Sequence, residues 1–139
     1  MLKYSPFYIT CLIFFTLYGC TSFDGAYYEK ITKIKFPNRY GVIATRDNGE
    51  YLTISILDLG TPCKEFADKN KFVSIDPRSN VTLLGLKLLD SSFRTLPNRY
   101  QLLERHVDKI PGKVGWTYLL DTCKCRLYCE IDYPDYGGN

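Results

Sequence analysis

The stretch EYLTISILDL, from Glu50 to Leu59, is the most regular periodic segment of the chain. Apolar and polar side chains alternate along it, and the apolar set is Leu52, Ile54 and Ile56. Alternation with a period of two is typical of a strand that buries one face. The segment therefore predicts a half-buried β-strand.

The flanking sequence predicts two hairpins. RYGVIAT precedes the first strand and is joined to it through RDNG, in which Asn48-Gly49 is a strong turn signal. Further along, RYQLLERHV and VGWTYLLDT predict a second hairpin that turns at Pro111-Gly112. Two antiparallel pairs are thus expected.

The remaining patterns add short elements. AYYEKITKIKF, KFVSI and NVTLLGLKLL are candidate strands, although the last also suits a short helix by its periodicity. A helix is expected from Thr61-Pro62 into CKEFADKN, because threonine suits the N-cap and proline the first helical position. Seven or eight strands with one short helix predict a mainly β fold, a small antiparallel sandwich or barrel.

The N-terminus carries the pattern of an export signal. Phe7 to Tyr18 is an uncharged run that follows Lys3. It is too short for a membrane span, which needs about 20 apolar residues. A basic start, a short apolar run and a small residue before the cut are typical of a secretory signal peptide.

Leu17-Tyr18-Gly19-Cys20 resembles the lipobox of bacterial lipoproteins. The resemblance implies cleavage before Cys20, acylation of that cysteine, and, with Thr21 rather than aspartate next, an outer-membrane location facing the periplasm. Two or more acyl chains anchor a protein stably. The alternative is that Cys20 is an ordinary cysteine after an ordinary export signal.

These patterns divide the chain into a signal peptide (1–19), a lipidated N-terminus and tether (20–26), one β-rich domain (27–133) and a flexible tail (134–139).

The chain has 18 Lys and Arg, of which Lys3 leaves with the signal, against 15 Asp and Glu. Because charge is nearly balanced and no basic block occurs, no nucleic-acid partner is expected.

Four cysteines remain in the domain, and in an oxidising compartment they predict two disulfides. Three of them lie in CKCRLYC, so any full pairing joins two of these three. Bonded cysteines need Cα atoms within about 7 Å. The expected pairs are Cys63–Cys123 and Cys125–Cys129, the second across a helical turn. A zinc site is the alternative, but the usual C-x2-C spacing is missing, so no metal is expected.

The tetrapeptide Pro-Asn-Arg-Tyr occurs twice, at Pro37–Tyr40 and Pro97–Tyr100, each time before a predicted hairpin. Tyrosine, tryptophan and arginine are enriched at binding hot spots, although aromatic residues also favour strands in general. The candidate partner-binding residues are Arg39, Tyr40, Arg99, Tyr100, Trp116 and Tyr128.

The chain has one histidine, His106, and lacks the common catalytic motifs. His106 is expected to be a surface or hydrogen-bonded structural residue. No catalytic residue is predicted. No cofactor is expected, and the only covalently attached group expected is the lipid on Cys20.

By architecture alone the chain is similar to immunity lipoproteins that protect bacteria from type VI secretion effectors such as phospholipases. That similarity implies a membrane-tethered inhibitor that occludes the active site of a periplasm-acting toxin. An assembly lipoprotein of a secretion or envelope complex is the alternative. A small periplasmic hydrolase that depends on His106 or a carboxylate is a third class.

Overall fold

The computed structural model describes residues 22–60, 62–107 and 113–133. Its helices and strands follow the chain in this order: α1 (Gly25–Thr32), β1 (Gly41–Asp47), β2 (Leu52–Asp58), α2 (Cys63–Lys69), β3 (Val73–Ser74), β4 (Leu102–Val107), β5 (Gly115–Asp121) and β6 (Arg126–Asp132). Three short 3₁₀ turns, Leu84–Leu88, Ser91–Phe93 and Arg99–Gln101, lie between β3 and β4.

The six strands form one open antiparallel sheet in the order β1-β2-β6-β5-β4-β3. The mainly β prediction is confirmed. The finer prediction of a sandwich or barrel is wrong, because the sheet neither closes nor packs against a second sheet among the described residues. Segments without strands cover its two faces instead.

The helix face of the sheet packs against α1 and α2 around a core that includes Ile34, Leu57 and Leu120. The opposite face, called here the turn face, is covered by residues 75–96, which pack on Ile54 and Leu119. Since β2 lies inside a sheet covered on both sides, Ile54 and Leu57 are both fully buried. The prediction that β2 is half-buried is therefore wrong, although the strand itself is confirmed.

Both hairpins are confirmed, as β1 pairs with β2 and β4 with β5. The first turn forms because the side-chain oxygen of Asn48 accepts hydrogen bonds from the backbone N–H groups of Glu50, Tyr51 and Leu52, at 2.9 to 3.1 Å. Gly49 supplies the positive φ of 74° that this turn needs. The predicted turn at Pro111-Gly112 lies outside the described residues.

Two predicted strands have other structures. The segment AYYEKITKIKF forms all of α1 except its first residue, Gly25, and the helix is capped because Asp24 Oδ1 accepts the N–H of Tyr27 at 3.1 Å. The domain thus contains two helices, and α1 begins inside the predicted tether. The segment NVTLLGLKLL forms the 3₁₀ turn Leu84–Leu88, and only two residues of KFVSI form a strand.

Gly85 explains why the chain covers the turn face so closely. A Cβ at this position would lie 2.7 Å from the Cβ of Ile54, so a larger residue would push the covering segment off the sheet. The Gly85 N–H also donates to Glu130 Oε2 at 2.7 Å, which pairs a buried carboxylate with the backbone.

Helix α2 confirms the predicted helix, although it begins at Cys63 with Pro62 in the N-cap position, and Thr61 lies outside the described residues. Neither of the two described helices is long and apolar enough to cross a membrane.

The predicted disulfide staple is wrong. No two of the four described cysteines lie at disulfide distance. Cys129 is buried in the middle of β6, and Cys125 ends the turn before that strand. An extended chain places residues four apart at about 13 Å, which excludes the Cys125–Cys129 pair.

Candidate functional site

The two Arg-Tyr steps lie at the same end of the sheet. One register row crosses that end from Gly41 through the neighbouring strands to Leu102; its members are Gly41, Asp58, Arg126, Asp121 and Leu102. Arg39-Tyr40 comes just before this row on β1, and Arg99-Tyr100 comes just before it on β4. Four strand spacings separate the two, or about 19 Å. We call this region the Arg-Tyr end of the sheet.

Tyr100 is the most exposed large hydrophobic side chain of the described residues, at 84% of its full exposure. Its backbone is nevertheless fixed. Asn98 Oδ1 accepts the N–H of Tyr100 at 3.1 Å, and the Asn98 carbonyl accepts the N–H of Gln101 at 2.8 Å. The guanidinium of Arg99 lies 5.9 Å from the ring centre of Tyr100. An aromatic ring with a cation beside it is thus presented to solvent from a rigid turn.

A groove of about 500 Å³ opens next to this turn. Its apolar lining comes from Val81, Leu96, Pro97 and Leu102, and its polar lining from Ser79, Asn80, Thr82 and Arg99. The Arg99 guanidinium donates a hydrogen bond to the carbonyl of Pro77. This bond links the turn before β4 to the start of residues 75–96, which cover the turn face. Arg99 thus lines the groove, and the exposed Tyr100 follows it in the same turn.

At the other copy, Arg39 is exposed but Tyr40 turns inward. The Tyr40 ring packs on Phe36 and Phe23, with centroid distances of 5.4 and 5.8 Å. Burial, with the nearby carboxylates of Glu29 and Asp24, raises the pKa of the Tyr40 hydroxyl above its usual value. Tyr40 therefore supports the fold, and only Arg39 extends from this copy.

The other two predicted partner-binding residues are buried. Trp116 is 2% exposed and packs edge-to-face on Tyr28, with ring centres 5.0 Å apart. Tyr128 is 3% exposed on the turn face. Neither side chain offers a surface to a partner in this structure, so the exposed candidates are Arg39, Arg99 and Tyr100.

Sequence patterns did not reveal a set of buried hydroxyl groups under α1. Thr32 Oγ1 donates to the carbonyl of Tyr28 at 2.8 Å and hydrogen-bonds the Tyr118 hydroxyl at 2.9 Å. Arg105 donates to the carbonyl of Thr32 at 2.7 Å. Burial raises the pKa of both tyrosines well above the usual value. These bonds fix α1 on the sheet, and only the three-dimensional pairing brings the residues together.

His106 is hydrogen-bonded on both ring nitrogens. Its Nε2 lies 3.0 Å from Glu104 Oε2 and its Nδ1 lies 3.3 Å from Thr117 Oγ1. Carboxylate, imidazole and hydroxyl are the groups of a proton relay. Thr117, however, is 9% exposed, so the hydroxyl that would act as nucleophile lies almost completely under neighbouring atoms.

Cys63, Cys123 and Cys125 lie close to one another near the Arg-Tyr end of the sheet. The Cys63 thiol donates to the carbonyl of Asp121 at 3.6 Å and is hydrogen-bonded to Cys125. Burial, with the neighbouring Cys125, raises the pKa of Cys63 to about 12. Burial also raises the pKa of Cys129 well above its usual value. Both thiols are therefore protonated at neutral pH, and a protonated thiol is a poor nucleophile.

Within residues 22–60, 62–107 and 113–133, no group of His, Cys, Asp and Glu side chains is arranged to hold a metal ion. Cys20, the predicted lipidation site, lies outside these ranges.

Comparison with known proteins gives no family for the chain. No protein-family model matches it, and neither the curated proteins nor the solved structures include a significant match.

Proposed function

We propose that this protein is a membrane-tethered binding protein of the periplasm, an immunity lipoprotein that occludes the active site of a periplasm-acting toxin such as a secreted phospholipase or cell-wall hydrolase. The lipobox-like Leu17-Tyr18-Gly19-Cys20 supports an outer-membrane anchor at Cys20. One structural observation carries the binding role: both Arg-Tyr steps lie at the same end of the sheet, with Tyr100 fully presented.

The shape of the Arg-Tyr end favours recognition of a protein. The exposed ring of Tyr100 has few rotatable bonds, so little conformational freedom is lost when a partner covers it. Because the Asn98 hydrogen bond already orders the turn, the cost of ordering a loop on binding is small. Arg39 and Arg99 add guanidinium groups, which suit the carboxylates found around the active sites of many hydrolases.

The test is a protection and capture experiment on the full chain. Cells that produce the wild-type protein should survive a toxin delivered to their periplasm, and the tagged protein should capture that toxin. We expect the double variant R99A/Y100A to lose capture by at least about 30-fold, which corresponds to about 2 kcal/mol.

The matched control is Arg46→Ala, which removes an exposed arginine near the opposite end of β1. It should leave capture unchanged. Equal capture by R99A/Y100A and wild type, with both proteins folded, would contradict this binding surface.

A structural role in an envelope complex is the second candidate. The observation that favours it is the open edge of the sheet at β1, where Val42 is 49% exposed and a further strand could pair. Captured proteins distinguish the two roles: a toxic enzyme supports immunity, whereas components of a secretion or envelope machine support assembly.

A further inference from the structure

We infer that the outer face of α1, together with the lysines beside it, rests on an anionic phospholipid surface. The inference rests on the lipid anchor of the proposed function and adds an orientation to it. The surface consists of Tyr27, Ile31 and five lysines; the lysines are Lys30, Lys33, Lys35, Lys69 and Lys71. We call it the lysine face.

The first observation is the way α1 divides its residues. Tyr28 and Thr32 point to the sheet and are 4% and 2% exposed. Tyr27 and Ile31, one helical turn apart, are 44% and 41% exposed. The inner side of the Tyr27 ring packs against Trp116, with ring centres 5.8 Å apart, and the rest of the ring is open to solvent. Lys30 lies beside them on the same side of the helix. Aromatic rings are enriched at the membrane–water interface, and lysines are attracted to anionic headgroups.

The second observation is the concentration of positive charge. Lys33 and Lys35 follow α1 directly, and Asn70 brings the end of α2 beside them. Its side chain accepts the N–H of Lys35 at 2.6 Å and donates to the Lys35 carbonyl at 3.1 Å. Lys69 and Lys71 flank Asn70 in the sequence and are exposed.

Two carboxylates, those of Glu29 and Glu65, lie near the five lysines and offset only part of this charge. Glu65 is exposed and lines the same pocket as Lys35 and Lys69. Glu29 Oε1 accepts the N–H of Phe36 at 2.9 Å, which directs the carboxylate toward the fold, and the second oxygen is 4.0 Å from Lys35. Clustered lysines are attracted to anionic phospholipids. Lysine stems can also lie along apolar groups while their charges reach the headgroups.

The third observation is the short chain between the candidate anchor and the fold. Phe23 already packs on Tyr28 and Phe36, with centroid distances of 4.5 and 5.4 Å. Two residues, Thr21 and Ser22, separate it from Cys20, and the three extended chain steps between Cys20 and Phe23 span about 10 Å. A lipid on Cys20 therefore holds Phe23, which lies two residues before the start of α1, within about one Debye length of the headgroups. Phe23 also packs on Tyr40, so the first Arg-Tyr copy lies on the anchor side. The second copy is four strand spacings, or about 19 Å, away, so Tyr100 and the turn face remain available to a partner.

The test uses the full processed protein, reconstituted in vesicles of phosphatidylcholine with or without phosphatidylglycerol. A membrane-impermeant amine reagent is applied, and each lysine is read by mass spectrometry. We expect Lys30, Lys33 and Lys35 to be labelled several-fold more slowly in the phosphatidylglycerol vesicles. Lys87 on the turn face and Lys124 at the Arg-Tyr end are the internal controls and should keep their rates.

A variant tests the apolar part of the lysine face separately from its charge. Ile31→Ser removes an exposed apolar contact while leaving the lysines and the Tyr27–Trp116 packing in place, and it should reduce the protection without unfolding the domain. If Lys30, Lys33 and Lys35 are each labelled at the same rate in the two vesicle types, the proposed orientation is overturned.

The same digest contains the N-terminal peptide and reports the mass of Cys20. A lipidated Cys20 with an unprotected lysine face refutes only the orientation, whereas an unmodified thiol at residue 20 refutes the anchor and with it this inference.

Discussion

The two Pro-Asn-Arg-Tyr segments have the same sequence and the same place before a hairpin, yet their tyrosines have opposite environments. Tyr40 is half-buried against Phe23 and Phe36, whereas Tyr100 is 84% exposed. The difference comes from what precedes each copy. Phe36 precedes the first copy, and the Tyr40 ring lies against Phe23 and against Gly25, the first residue of α1. The second copy follows Leu96, beside an open groove.

A tetrapeptide therefore fixes where a strand begins but not what its aromatic side chain does. The first tyrosine packs against the core, and the second is exposed to solvent. Substitutions that separate the two roles test this interpretation.

The largest expected effect is on stability at the first copy. Tyr40→Ala removes a ring from the aromatic cluster, and we expect the free energy of unfolding to fall by about 2–3 kcal/mol, somewhat less than the roughly 3–5 kcal/mol of fully buried aromatic truncations because the ring is only partly buried. Urea denaturation followed by Trp116 fluorescence measures it. Tyr100→Ala is the matched control and should change stability by less than about 0.5 kcal/mol. Similar losses for both variants would show that the two rings are not different in role.

The next effect is on binding at the second copy. Tyr100→Ala alone should weaken capture of the partner by about 2 kcal/mol, the usual threshold for a hot spot. Tyr40→Phe keeps the buried ring and should bind as wild type does. Titration calorimetry with the purified partner compares them, and a loss at Tyr40→Phe with none at Tyr100→Ala would reverse the assignment.

Gly25 tests why Tyr40 turns inward. A Cβ at this position would lie 2.2 Å from the Tyr40 hydroxyl oxygen, so Gly25→Ala forces the ring to move. We expect a loss of about 1 kcal/mol, because the strain exceeds the gain in helix propensity. Tyr40→Phe removes the clashing oxygen, so the double variant should recover much of the loss in a thermodynamic cycle. Strictly additive losses would mean that the two residues do not interact.

How much of this was predictable differs between the elements. The hairpins were predicted because Asn48-Gly49 and the alternating strands are local signals. The open sheet was not, because alternation cannot show that residues 75–96 cover the second face of β2. Helix α1 was missed because its eight residues show only weak amphipathic periodicity, and tertiary bonds such as Thr32 to Tyr118 hold it.

The candidate site shows the same limit. Composition identified Arg39, Arg99 and Tyr100 as candidates, but it equally selected Trp116 and Tyr128, which are buried. Aromatic residues suit both strands and interfaces, so their exposure depends on packing that no short motif encodes. The cysteine cluster was misjudged for a related reason: an even number of thiols suggested pairing, whereas β6 extends through Cys129 and separates it from the others.

The smallest expected effect is a dependence of stability on alkaline pH. Burial and the carboxylates of Glu29 and Asp24 raise the pKa of Tyr40 in the folded protein. A group whose pKa is raised by folding contributes stability that is fully present below its unfolded pKa, about 10 for tyrosine, and that contribution is lost as pH rises through the folded value. We therefore expect the free energy of unfolding to fall above about pH 10, and to fall less steeply in Tyr40→Phe. Urea denaturation across that pH range measures the slopes, and identical slopes for wild type and Tyr40→Phe would contradict the buried environment of the first tyrosine.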